Sequence, residues 1–296
     1  MPVYTQVLKP EELVFAVERL RAGHPIVFPT ETVYGLGAPI FLEDAVQLIY
    51  KIKGRPSDNP LIAHVSDLKG ALALSEDLPP LFYRLAEAFW PGPLTLVVRR
   101  SSRVPDAVSA GLATIAIRMP KHPVARRLIQ EVGQPLVAPS ANLSGRPSPT
   151  SIQDVLEDLD GLVPFVIDGG ECEVGIESTV LSLCSEKPLL LRPGSICREA
   201  LEETLSCRVD LANSSTPIQS PGMKYRHYAP KASVRLVYDR SQLKDPYIIP
   251  TAKTLYAQLR KADRLGWERI DIFCDAAVQS NAALMNRLLR AAGQIA

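Results

Sequence analysis

The stretch FPTETVYGLG (28–37), followed after a helical interval by KIKGRPSDNPLIAH (51–64), decides how the rest of the chain is read. An apolar run, Ile26, Val27 and Phe28, feeds a loop over 29–37 that carries Thr30, Thr32, Tyr34, Gly35 and Gly37. A strand that delivers hydroxyls and permissive backbone into a loop builds a polar lip on a rigid support. The periodicity of Ala45, Leu48, Ile49 and Ile52 predicts a helix stopped at Gly54. Lys53 and Arg55 are then expected to project beyond the helix end, a mobile point charge beside a planar fork, which suits a polyphosphate. Asn59 and Pro60 follow, and the apolar run 61–65 encloses His64. Alone, these signals leave alternatives open. A KxR pair at a helix end also reads as a solvated cap on the helix dipole, and a lone strand histidine as a satisfied core residue.

Composition sets the outer limits. With 296 residues, 46% of them hydrophobic, and a formal charge of +1, the chain has room for one large core and a small second domain, and is ordinary globular material. Near-neutral charge argues against tight, non-specific nucleic-acid binding by the whole chain. The five cysteines form no CxxC pair and are odd in number, which favours a reducing compartment. The start, MPVYTQVLKPEEL, lacks a basic segment followed by an apolar one, and no apolar run reaches membrane length, so a cytoplasmic protein is expected.

Outward from the opening stretch, helix and strand signals alternate. A helix over Leu13, Val14, Val17 and Leu20 ends at Gly23; further helices are predicted over 81–90 and 123–132, and strands over 94–99, 114–119 and 136–138. This predicts α/β layers. Within 114–119, Ile115 and Ile117 point to one face, and Thr114, Ala116 and Arg118 to the other. The stretch APSANLSGRPSP (138–149) sets Ser140 and Asn142 directly after a strand, where ligand crevices form in such sheets. No GxSxG and no Ser-His-Asp order occur, which points away from acyl-enzyme chemistry. The runs 175–183 and 189–196 read as a strand pair, with Ser178 and Thr179 opening one and Arg192 closing the other. Asp168, Glu171, Glu173 and Glu177 fit no calcium-loop spacing and are read as solvated loop carboxylates. From 211 to 222 the composition shifts to Asn, Ser, Thr, Pro and Gln, a linker, after which come Tyr225, Arg226, His227 and Tyr228. A strand-helix-strand-helix unit closes the chain.

Together, PTETVYGLG, KGRPSDNPL with His64, FWPGPLTLV (89–97), TIAIRMP (114–120), APSANLSG (138–145) and SPGMKYRHYAP (220–230) resemble the YrdC-like family. The last motif resembles the longer, two-domain type of threonylcarbamoyl-AMP synthase. The resemblance implies an α/β fold, a twisted mixed sheet with a concave cation-lined face, plus a small C-terminal α/β domain. It divides the chain into a catalytic domain (1–210), a linker that folds back as a lid (211–231) and a C-terminal domain (232–296), shorter than is usual in the family, whose docking or dimerisation supplies missing burial. The implied activity is a nucleotidyl transfer that condenses L-threonine, bicarbonate and ATP, with Mg²⁺, into threonylcarbamoyl-AMP and pyrophosphate, for the N6-threonylcarbamoyladenosine modification of tRNA. A tRNA threonylcarbamoyl transferase would take the product, and weak tRNA contact is an implied extra; no resident metal and no membrane are expected. By the same resemblance Thr32, His64, Arg118, Ala138 and Ser178 would contact threonine, and Arg55, Asn59, Thr114, Ser140, Ser148, Arg192 and Tyr228 would contact ATP. Lys53, Arg55, Ser140 and Asn142 would surround the reacting phosphates. An RNA-binding module without turnover is the alternative; a carbamoyl-adenylate domain of hydrogenase maturation is disfavoured, since its zinc-finger and acylphosphatase segments are missing from the sequence.

Overall fold

The computed structural model describes residues 4–213, 215–221 and 227–294. Tyr225 and Arg226 of the expected lid lie outside them. In chain order the strands are β1 (Gln6–Leu8), β2 (Ile26–Phe28), β3 (Gly35–Pro39), β4 (Ile62–His64), β5 (Leu94–Arg99), β6 (Thr114–Arg118) and β7 (Leu136–Val137). They continue with β8 (Phe165–Ile167), β9 (Thr179–Ser182), β10 (Leu189–Arg192), β11 (Asp210–Leu211), β12 (Ser233–Val237), β13 (Tyr247–Ile248) and β14 (Arg269–Phe273). The first eleven form one sheet in the order β1-β8-β2-β3-β7-β4-β6-β5-β9-β10-β11; β12-β14-β13 form a second, all-parallel one. The large sheet is mixed: β4 runs parallel to β6, whereas β5 is antiparallel to β6 and parallel to β9. The last three residues of the expected 29–37 loop therefore open a strand, β3, antiparallel to both β2 and β7.

Strand alternation sorts the side chains. Ile26 and Phe28 join a core closed by the helices Leu13–Arg21 and Pro123–Val132, while Val27 between them joins the main core under the helices Glu43–Lys53 and Pro80–Phe89. Ile115 and Ile117 also enter the main core, and Ala116 packs with Ile62, Val97, Val180 and Leu191 on the opposite face. That opposite face carries the site.

The C-terminal sheet and the helices Leu255–Arg264 and Ala282–Ala291 enclose a core of their own, into which Val33, Ile176 and Tyr228 also insert. Burial missing from so small a unit is thus supplied by docking. Arg260 reaches Asp158 and the carbonyl of Pro147, and Arg264 meets Glu157 at 2.6 Å. No helix among the described residues is long and apolar enough to cross a membrane.

Candidate active site

The pairing register aligns His64 of β4 with Arg118 of β6, and Arg118 with Thr95 of β5. One row of side chains thereby crosses three strands at the end of β4 and β6. A cavity opens over this row, lined among others by Thr32, Ala138, Ser140, Glu177 and Tyr228, with Arg55, Arg118 and Arg192 on its walls.

Each cation arrives by a different local device. Gly54 ends the helix Glu43–Lys53 in the left-handed conformation, φ 59°, turning the chain so that Arg55 leaves the helix axis and donates to the carbonyls of Asn59 (3.2 Å) and Pro60 (2.8 Å). Arg118 follows from alternation along β6. Its Nη1 donates to Thr32 Oγ1 at 2.9 Å, its Nε to the Gly92 carbonyl at 3.3 Å, and its Nη2 lies 2.7 Å from Glu31 Oε1. Arg192 depends on an irregularity. Leu190 pairs with Leu181 and Arg192 with Val180, so Leu191 is an extra residue, a bulge that lets Leu191 and Arg192 both face the site side. Arg192 donates to the Ser178 carbonyl and Oγ, both at 3.1 Å, and Ser178 Oγ lies 2.7 Å from Thr95 Oγ1.

His64 Nδ1 faces the carbonyl of Ile62 at 3.2 Å; a carbonyl only accepts, so this nitrogen holds the proton and Nε2 is an acceptor. Burial, reinforced by the charge of Arg118, lowers its pKa to about 3. His227, beside Tyr228 in the cavity wall, is likewise lowered to about 3 by burial and then by Arg55.

Lys53 departs from expectation. It is the last residue of its helix and faces inward, where its buried ammonium donates to the carbonyls of Ser140 and Asn142. Burial and then Arg55 hold its pKa well below the usual lysine value. The left-handed turn that releases Arg55 comes one residue too late to carry Lys53 with it. Asn59, Asn142 and Ser148 are buried beside the cavity without lining it, and Asn142 Nδ2 donates to Leu143 O and Arg146 O. Thr114 lies at the far end of β6, where its hydroxyl reaches the Gln219 carbonyl at 3.4 Å.

Glu177 overturns its reading as a solvated carboxylate. Ser148 Oγ (2.6 Å) donates to its Oε1, and Tyr256 OH and Arg287 Nε (both 2.8 Å) donate to its Oε2. Burial pushes its pKa up, but Arg287 and Arg192 outweigh that and leave it below the ordinary range. Both of its main partners lie in the C-terminal unit, beyond the reach of any local pattern. The Tyr228 ring rests between Tyr256 (5.5 Å) and the Arg287 guanidinium (5.4 Å), with its backbone at φ 65°. Ala229 N–H donates to the Gly145 carbonyl, and Ser182 Oγ of β9 to Gln219 Oε1, so the described residues at either end of the linker touch the 138–145 loop and the large sheet.

Two family models match the chain: Sua5–YciO–YrdC, described as telomere recombination, over residues 18–194, and the C-terminal domain of threonylcarbamoyl-AMP synthase over 196–248. The chain belongs to the Sua5–YrdC family. Among its relatives, the threonylcarbamoyl-AMP synthase of Pyrococcus abyssi is 39% identical over 93% of this chain and 92% of that protein. The Bacillus subtilis enzyme of the same name is 48% identical over 76% of this chain and 66% of its own length. The structure of P. abyssi Sua5 complexed with L-threonine superposes with a TM-score of 0.91 at 36% identity, covering 98% of each chain. Escherichia coli YciO, at 24% identity and a TM-score of 0.60 over 67% of this chain and 99% of its own, shares the fold.

Proposed function

We infer that this cavity makes threonylcarbamoyl-AMP from L-threonine and ATP, a nucleotidyl transfer, with bicarbonate as the third substrate. The observation that supports it most is the meeting of Arg55, Arg118 and Arg192, each from a separate loop or strand end, around one cavity beside a neutral histidine. Arg118, Thr32 and Ser178 suit an amino-acid carboxylate and hydroxyl, and His64 Nε2 suits a donor such as the substrate's hydroxyl or amine. Arg55 and Arg192 suit phosphate oxygens, with Ser140, Tyr228 and the nearby Asn59, Ser148 and Thr114 completing the nucleotide side.

Threonine's amine and bicarbonate give an N-carboxylate with loss of water. One of its oxygens forms a bond to the α-phosphorus while the bond to the leaving pyrophosphate breaks, and pyrophosphate keeps the electron pair. The nucleophile is already anionic, so the protein supplies alignment and positive charge rather than a strong base. Mg²⁺ enters with the triphosphate, as the MgATP substrate. The alternative, an RNA-binding module without turnover, is not favoured, because Arg55, Arg118 and Arg192 meet in one cavity rather than along an open basic face. The test follows pyrophosphate release from MgATP: release is expected to need both threonine and bicarbonate, and release indifferent to either would overturn the assignment. The expected location in the cytoplasm and hand-over to a tRNA-modifying transferase belong to the same reading.

A further inference from the structure

We propose that Glu31 is a positioning residue for the amino-acid subsite, acting through Arg118. Glu31 lies inside the PTETVYGLG stretch, is 3% exposed, and does not line the cavity. Its Oε1 stands 2.7 Å from Arg118 Nη2, and its Oε2 accepts the backbone N–H of Lys121 at 3.0 Å. Thr32 and the Gly92 carbonyl hold Nη1 and Nε. The guanidinium is thus gripped from three directions, one of them a full opposing charge.

A buried carboxylate under a buried arginine is poor economy if stability alone is at stake, because an apolar pair of similar volume often serves a core as well. Orientation is another matter. A guanidinium recognises a carboxylate through N–H groups at fixed angles, so a small rotation forfeits two-point binding. Nη2 carries two N–H groups, and the single contact to Glu31 Oε1 at 2.7 Å engages only one of them. Glu31 therefore fixes and partly neutralises Arg118 while leaving donor capacity for a ligand. Burial raises the Glu31 pKa, but Arg118 and the backbone N–H hydrogen bonds together more than offset this and leave it below the ordinary value, so the anchor is ionised at neutral pH.

This rests on the reading that Arg118 meets the threonine carboxylate, and the experiment separates the two. Threonine and ATP Michaelis constants, with threonine binding by calorimetry, are measured for Glu31→Gln, Arg118→Met and the double variant. Glu31→Gln is expected to raise the threonine KM about 10–100-fold, the scale for outer partners that orient binding side chains, with little change for ATP. The double variant is expected to bind threonine no worse than Arg118→Met alone, since Glu31 would have nothing left to orient. Removing both charges together also avoids an orphaned buried ion, so this arm stays informative if Glu31→Gln folds poorly. Equal losses for threonine and ATP, or losses that add in the double variant, would overturn the role of Glu31. An unchanged threonine affinity in Arg118→Met would instead overturn the subsite assignment beneath it.

Discussion

His64 reads in sequence as a candidate ligand or a core residue, and in the structure it is both: buried, yet facing the cavity. Its lowered pKa has a stability consequence. The folded form stays neutral down to about pH 3, while the unfolded ring takes up a proton near 6.5. Stability owed to the neutral ring is therefore complete above pH 6.5 and is lost as pH falls from there toward 3. Thermal melting over this range should show a smaller acid-induced drop in His64→Gln than in the parent; identical slopes would refute it. Lys53 gives a second residue-scale prediction. Lys53→Met removes the donor to two buried carbonyls, each worth about 1–3 kcal/mol when left unsatisfied. We expect a lower melting temperature and raised Michaelis constants for both ATP and threonine, because the 140–142 backbone shifts. A rise for ATP alone with the melting temperature intact would mean direct phosphate contact.

At the scale of elements, the helix Pro123–Val132 and the strand Leu94–Arg99 carry their own signals and are found where periodicity puts them. The β10 bulge does not announce itself. Plain alternation would put Arg192 on the face of Leu190, in the main core; the inserted Leu191 reverses that. Close approach at the strand end makes this geometry sensitive. A Cβ on Gly194 would stand 2.2 Å from Thr179 N and 2.6 Å from Ser178 C. Gly194→Ala must push apart the segments that hold Arg192 and Ser178, and steady-state assays should show turnover lowered on the order of 10²-fold, the cost of a displaced positioning donor. Parental kinetics would show that the loop tolerates the shift.

For the whole molecule, the decisive contact is Glu177 with Arg287 and Tyr256, made across 110 residues in the first case. It links a cavity-lining carboxylate to the C-terminal unit, and the same arginine flanks the Tyr228 ring. Arg287→Met leaves Glu177 buried without its main counter-charge, a loss of about 3–5 kcal/mol. Calorimetry should record that drop, and nucleotide affinity should fall with it because Tyr228 loses one of its two supports. Tyr228→Ala should weaken nucleotide binding while leaving Glu177 paired. Unchanged nucleotide affinity in both variants would detach the C-terminal unit from the site.

The sequence by itself determined the alternation of helices and strands, the glycine that frees Arg55, the faces of β6 and the ordered motifs that mark the family, because each depends on residues a few positions apart. Only the tertiary structure decided that Lys53 turns away from the cavity, that Arg192 turns toward it, and that Glu31 and Glu177 are buried ionic anchors. Those outcomes depend on partners remote in the chain, and whether a charge is solvated or buried is fixed by what packs against it.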